Sequence, residues 1–181
     1  MSRGLGDVYK RQIQILFVNL ATDGLPAIAL GVDPADTDIM SEKPRPKMEG
    51  IFARGLKEKI IIRGSLIGVC TVLSFMAGSY YGFTLETCRT LALSTLIMSQ
   101  LIHVFECRSE RHSIFEIKYF TNIYLVGAVA ISVAMLISIL YIPFMQNIFH
   151  TVALNLAQWL IVIFFSGTIA FINSLYLYIK K

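Results

Sequence analysis

Charge is scarce in this chain: Asp, Glu, Lys and Arg make up only 15% of 181 residues, against 55% hydrophobic ones. Soluble domains carry about 25% charged residues, so this composition excludes an ordinary water-facing globule. Cysteine is scarce as well. Cys70, Cys88 and Cys107 are odd in number, scattered, and form no C-x-x-C pair. Neither a disulfide framework nor a zinc knuckle is supported, and the three read as small packing residues. Short segments of alternating polar and apolar residues are missing too, which excludes a transmembrane barrel. The net charge of +4 would suit nucleic acid only if the basic residues clustered on one accessible face. They lie between the apolar runs instead, so no nucleic-acid partner is expected.

What the chain has is apolar length. Hydropathy divides it into about five runs, at residues 13–31, 60–82, 88–106, 119–142 and 152–178, each near the roughly 20 residues that cross hydrocarbon as a helix. The predicted fold class is an all-α membrane protein of about five transmembrane helices, with the lipid bilayer as its surroundings. Lys43, Arg45, Lys47, Arg54, Lys57, Lys59 and Arg63 crowd the first connection, Arg108, Arg111 and Lys118 the third, and Lys180 and Lys181 the end. The second connection carries only Arg89 and the fourth none. The bias of basic residues toward the cytoplasm therefore predicts that the first span starts outside and that the C-terminus is cytoplasmic. Tyr80, Tyr81, Tyr176 and Tyr178 fall at expected interfaces. Arg3, Lys10 and Arg11 break the rule, and residues 1–12 show no secretory signal. The string DVYKRQ at 7–12 resembles one reading frame of a transposon end used in sequencing libraries, so residues 1–12 are expected to be a non-native leader.

One run is interrupted by polarity. Asn19, Thr22 and Asp23 sit in LFVNLATDGLPAIALG, with Gly24 and Pro26 directly after. An ionisable group at membrane depth is expensive and normally faces a bundle interior, where it marks an ion or substrate path. Gly24 and Pro26 are expected to unwind the helix and free backbone carbonyls, tolerated only where those groups are buried in protein or line a cavity. Carboxylate, amide, hydroxyl and loose carbonyls together suit a hard cation. The plainer reading is hydrogen-bonding glue between helices.

NLATDGLPA at 19–27, followed by DPADTDIMSEKPRP at 33–46, resembles the sixth transmembrane helix and following cytoplasmic loop of P-type cation pumps, calcium pumps above all. The resemblance runs from Ile13 to the C-terminus, so residues 13–181 look like the C-terminal membrane domain with the family's last five helices. Later spans match by order and hydropathy. The resemblance implies that Asn19, Thr22 and Asp23 give side-chain oxygens to transported calcium. ALSTLIMSQ at 92–100 resembles the family's eighth helix, but Gln100 stands where double-site pumps carry Glu. A neutral amide supplies one oxygen and no charge, which points to the single-site subgroup of bacterial or secretory-pathway pumps. Manganese accepts the same oxygen ligands.

No D-K-T-G phosphorylation motif occurs in these residues. The resemblance therefore implies a part of an ATP-driven calcium pump that is inactive alone, with ATP and Mg2+ acting through an N-terminal part of the same pump. Its expected location is a bacterial plasma membrane. The alternatives are a self-contained small transporter or channel, and a non-transporting membrane scaffold.

Other features have simpler readings. Asp33, Asp36 and Asp38 lack the turn Gly and bidentate Glu of an EF-hand, so a solvated connector is expected; the resemblance adds a coupling role for Asp36, Asp38 and Arg45. Gly64 and Gly68, four apart, form a small-xxx-small packing face. Gln100, His103 and Glu106 share one side of their helix; a metal trio is less expected than capping or hydration of the helix end. Asn155 and Gln158 are expected to face neighbouring helices.

Overall fold

The computed structural model of the protein describes residues 12–34, 46, 50, 56–108 and 121–179, the side chains of Thr22, Asp23 and 173–179 lying outside that set. Every regular element among them is helical. Helix α1 covers Gln12–Leu30; α2 is Leu56–Tyr80, α3 Leu85–Glu106, α4 Ile123–Tyr141, α5 Pro143–Phe149 and α6 Leu156–Ile179. Helices α1 to α4 are each long and apolar enough to cross a membrane, and Leu156–Ile172 of α6 adds a shorter apolar stretch. The expected all-α membrane domain of about five long helices is the fold observed. Of the expected leader, residues 1–11 lie outside the description and Gln12 already belongs to α1.

Helix α3 is the centre. Its apolar window is 44% buried against 17% for α2, because α2, α4, α6 and the middle of α1 all pack on it. Leu91, Ile97 and Leu101 of α3 join Leu136 and Leu140 of α4 and Val162 of α6 in one buried cluster. The outward faces are as apolar as the core: Ile61, Val72, Ile131 and Phe164 are exposed. Apolar burial gives little drive between helices in lipid, so association rests on close packing and polar contacts. Both join α2 to α3. Thr95 Oγ1 donates to Ser74 Oγ at 2.8 Å, with both residues fully buried, and Gly78 lets the backbone of α2 approach Leu91 and Cys88. The connecting turn is tight: Phe83 N donates to the Gly78 carbonyl, and Gly82 adopts φ +73°, where a Cβ is strained.

Helix ends are closed locally. Thr84 accepts from Thr87 N at the start of α3, and Asn122 accepts from Leu125 N at the start of α4. Asn155 and Gln158, expected to face other helices, instead cap α6: Gln158 N donates to Asn155 Oδ1 and Asn155 N to Gln158 Oε1. That reciprocal pair occupies the backbone donors a helix start leaves open. The fourth connection contains α5, which hydropathy missed. Pro143 suits its first turn, where no N–H is needed, and His150 ends it in the left-handed region at φ 50°. Tyr141 Oη donates to the Leu154 carbonyl at 2.6 Å and accepts from Trp159 Nε1 at 2.8 Å. Gln14 Nε2 donates to the Phe149 carbonyl at 2.6 Å, tying the start of α1 to the same end.

A Cβ on Gly78 would lie 2.9 Å from Leu91 Cδ1 and 3.1 Å from Cys88 Sγ, whereas one on Gly127 meets nothing within 4 Å. Gly78→Val is therefore expected to destabilise the bundle by about 1–3 kcal/mol, as overpacking does. Gly127→Val should stay within about 0.5 kcal/mol of wild type. Unfolding in detergent micelles, followed by circular dichroism, checks both.

Candidate ion site in the first helix

The polar motif, where Gly24 and Pro26 are expected to unwind the helix and free carbonyls, does not leave α1 a regular α-helix. It widens it. Asn19–Gly24 forms a π-helical turn, and regular helix resumes at Leu25 with Pro26 in its first turn. A proline at 26 removes the N–H that the carbonyls before it would use, and the wider turn is the backbone's answer. Single π turns inside α-helices concentrate at functional sites. Five residues after Ala21 stands Pro26 itself, which has no donor, and the Ala21 carbonyl takes its hydrogen bond from Ser132 Oγ on α4. Ala21 and Ser132 are both fully buried. The freed carbonyl is thus satisfied by protein, as hydrocarbon demands.

Of the four residues proposed as ligands, Asn19 opens the π turn and is exposed. Thr22 and Asp23 occupy the turn by backbone, but their side chains fall outside the description. Gln100 lies on α3, which packs against the π segment, and its buried Oε1 has no hydrogen-bond partner. Ser94 and Ser99 on the same helix also hold buried hydroxyls without partners. A buried oxygen left unpaired in a membrane is costly, and α3 carries three of them: Ser94 Oγ, Ser99 Oγ and Gln100 Oε1. Among the described residues no three of His, Cys, Asp and Glu gather as a metal cluster. The Gln100, His103 and Glu106 trio is not assembled: His103 Nδ1 lies 2.9 Å from Glu106 Oε2, and its other ring nitrogen meets Cys107 Sγ at 3.5 Å.

Below the break the structure corrects the sequence reading. Asp33, expected in a solvated connector, is half-buried and ion-paired. Arg108 from the end of α3 places Nε 3.0 Å from Asp33 Oδ2, and its second guanidinium nitrogen lies 3.1 Å from Oδ1. Asn122 Nδ2 donates to Asp33 Oδ1 and to the Ala29 carbonyl, each at 2.9 Å, while Asn122 Oδ1 caps α4. Three helices therefore meet at one polar knot. Asn122 before an apolar helix was a readable cap signal; nothing in the local pattern joins Asp33 to Arg108, 75 residues on. Asp36, Asp38 and Arg45, the proposed coupling residues, lie outside the described residues. Gly64 and Gly68 are exposed on α2 with open space about them, so their small face packs on nothing among the described residues.

The geometry defines a multi-helix membrane domain with a π-widened, proline-adjacent turn at an acidic motif, the kind of irregularity that concentrates at functional sites. The chain belongs to the family described as cation transporting ATPase, C-terminus, which matches residues 11–179. It is 48% identical over 161 residues to the calcium-transporting ATPase of Bacillus subtilis, covering 88% of this chain and 18% of that protein. A calcium-transporting ATPase of Bacillus cereus is 41% identical over 187 residues, covering 94% of this chain and 21% of that one. One from Lactococcus lactis is 39% identical over 150 residues, with 82% and 17% covered. The chain spans about a fifth of the length of these relatives, with apolar helices that mark it as integral to a membrane.

The knot is open to a direct test. A double-mutant cycle of Asp33→Ala and Arg108→Ala is expected to give a coupling of about 1–3 kcal/mol, since the side chains are only 13% and 7% exposed. Ser132→Ala, which strips the donor from the Ala21 carbonyl, should cost about 1 kcal/mol. Unfolding in micelles measures both.

Proposed function

We propose that this chain supplies the last membrane helices of an ATP-driven calcium pump, and that the π turn of α1 is part of its ion site. The observation that carries the proposal is that helix geometry breaks at the motif NLATDG itself, in a member of a cation-pump family. Asn19, Thr22 and Asp23 donate side-chain oxygens, Gly24 and Pro26 keep the turn open, and Gln100 adds a weaker, neutral oxygen from α3. A hard divalent ion takes six to eight oxygens, more than these residues hold. The remaining ligands, the nucleotide site for ATP and Mg2+, and the phosphorylated carboxylate belong to the other four-fifths of the pump, matched by no residue here.

In this reading the pump takes calcium from the cytoplasm, closes around it and releases it on the far side. Such a change of access is driven by differential affinity between two helix arrangements. Neutral Gln100 favours one calcium per cycle, because a second divalent ion would lack compensating charge. Manganese is a second cargo with the same ligand chemistry. Kinship with bacterial pumps supports a bacterial plasma membrane, and the placing of basic residues supports a first span starting outside with the C-terminus in the cytoplasm. Asp36, Asp38 and Arg45 follow α1 directly and are proposed to pass its movement to the pump's cytoplasmic part. Gly64 and Gly68 are proposed to meet a helix of the N-terminal part. A small autonomous channel predicts ion flux without ATP, and a scaffold predicts that Asp23 is dispensable.

Calcium uptake by vesicles containing the complete pump decides between them. Asp23→Asn should abolish ATP-driven uptake, while Gln100→Ala should weaken it less; uptake near the wild-type level with Asn at 23 would overturn the ligand assignment. Loss of all transport with Ala at 100 would overturn the single-site reading.

A further inference from the structure

At the far end of α3 lies a constellation the ion site does not use. His103 is held by Glu106, whose Oε2 accepts from His103 Nδ1 at 2.9 Å. Glu106 is 3% exposed and His103 22%. The other ring nitrogen, Nε2, stands 3.5 Å from Cys107 Sγ. Cys107 is exposed on the turn that ends the helix, whereas Cys70 and Cys88 are buried. A thiol within reach of an imidazole base, itself oriented by a carboxylate, is the arrangement that activates a sulfur nucleophile. Helical spacing produces it: residues 103, 106 and 107 are one turn apart and share a face. The second oxygen of Glu106, Oε1, is buried without a partner, an unsatisfied acceptor inside the same cluster.

We propose that Cys107 is a base-assisted thiol at the membrane boundary, oxidised reversibly by small hydroperoxides. In the step, the thiol proton passes to His103 Nε2 as sulfur attacks one peroxide oxygen. The O–O bond breaks, and the leaving hydroxide takes the proton back from the imidazolium as water. Thiol and hydrogen peroxide thus give a sulfenic acid and water; sulfur loses two electrons and the peroxide gains them. Glu106 steadies the ring while it carries the extra charge. The next residue is Arg108, which holds Asp33 at the end of α1, so oxidation at 107 falls beside the contact that anchors the proposed ion helix. Both buried cysteines lie outside this cluster, so the sulfenic acid is resolved by a soluble thiol rather than within the chain.

The assignment stands apart from the transport reading and is tested on the full chain in membrane vesicles without ATP. Vesicles are treated with hydrogen peroxide and a dimedone probe, and labelling at Cys107 is timed by peptide mass spectrometry. Wild-type Cys107 should react about a hundredfold faster than a short unstructured peptide spanning the same cysteine, the lower end of the range for base assistance. His103→Gln should return it to the peptide's rate, and Glu106→Gln should fall between. A wild-type rate no faster than the peptide's overturns the proposal, as does an unchanged rate in His103→Gln. Unlabelled Cys70 and Cys88 certify that a variant is folded; where they become labelled, the comparison of wild type with the peptide decides alone.

Discussion

In hydrocarbon every backbone carbonyl must find its donor within the protein, and Pro26 takes one donor away in the middle of a membrane helix. Much of the local structure around α1 answers that constraint. The helix widens to a π turn across Asn19–Gly24, and α4 must bring Ser132 to the Ala21 carbonyl. The Ser132 hydroxyl is satisfied at this depth by donating to that carbonyl. The hydroxyl and the proline are thus two halves of one feature, 106 residues apart in sequence.

The same logic explains why the polar residues of this chain gather at a few points instead of spreading. Thr95 and Ser74 satisfy each other between α2 and α3. Thr151 donates to the Ile139 carbonyl, and Asp33, Arg108 and Asn122 close the opposite end. Breaking one member of a buried charge pair strands the other, so such knots fix which helices meet and at what height. Leucine and isoleucine provide the volume between them but cannot set the register, since lipid would accept those side chains equally well.

That division of labour decides what the sequence disclosed. Long apolar runs depend on local composition, so helices α1 to α4 could be placed to within a few residues, and the polar motif Asn19–Pro26 stood out in the stretch that holds the π turn. The form of that turn did not. Whether a proline-adjacent turn unwinds or widens depends on a donor from another helix, and nothing near residue 21 announces Ser132. Asp33 was misread for the same reason: as one of several acids near a turn it looks solvated, and only the fold brings Arg108 to it. Asn155 and Gln158 erred the other way, since a cap three residues long satisfied locally what was assigned to distant neighbours. Short α5 was missed because seven residues carry too little periodicity.

The distribution of contacts also bears on how such a domain could move. Helices α2, α3 and α6 interlock through packed side chains and the close approach at Gly78, and packed interfaces have few alternative arrangements. Helix α1 adds polar ties to its apolar packing. Its ties to the rest include discrete hydrogen bonds at Gln14, Ala21 and Ala29, and the ion pair of Asp33. A hydrogen bond can be exchanged for another one turn away, whereas an interdigitated leucine cluster must open before it shifts. Phe17, Val18 and Ala21 also seat α1 in the main buried cluster, so α1 can shift only if those contacts open while its polar ties exchange.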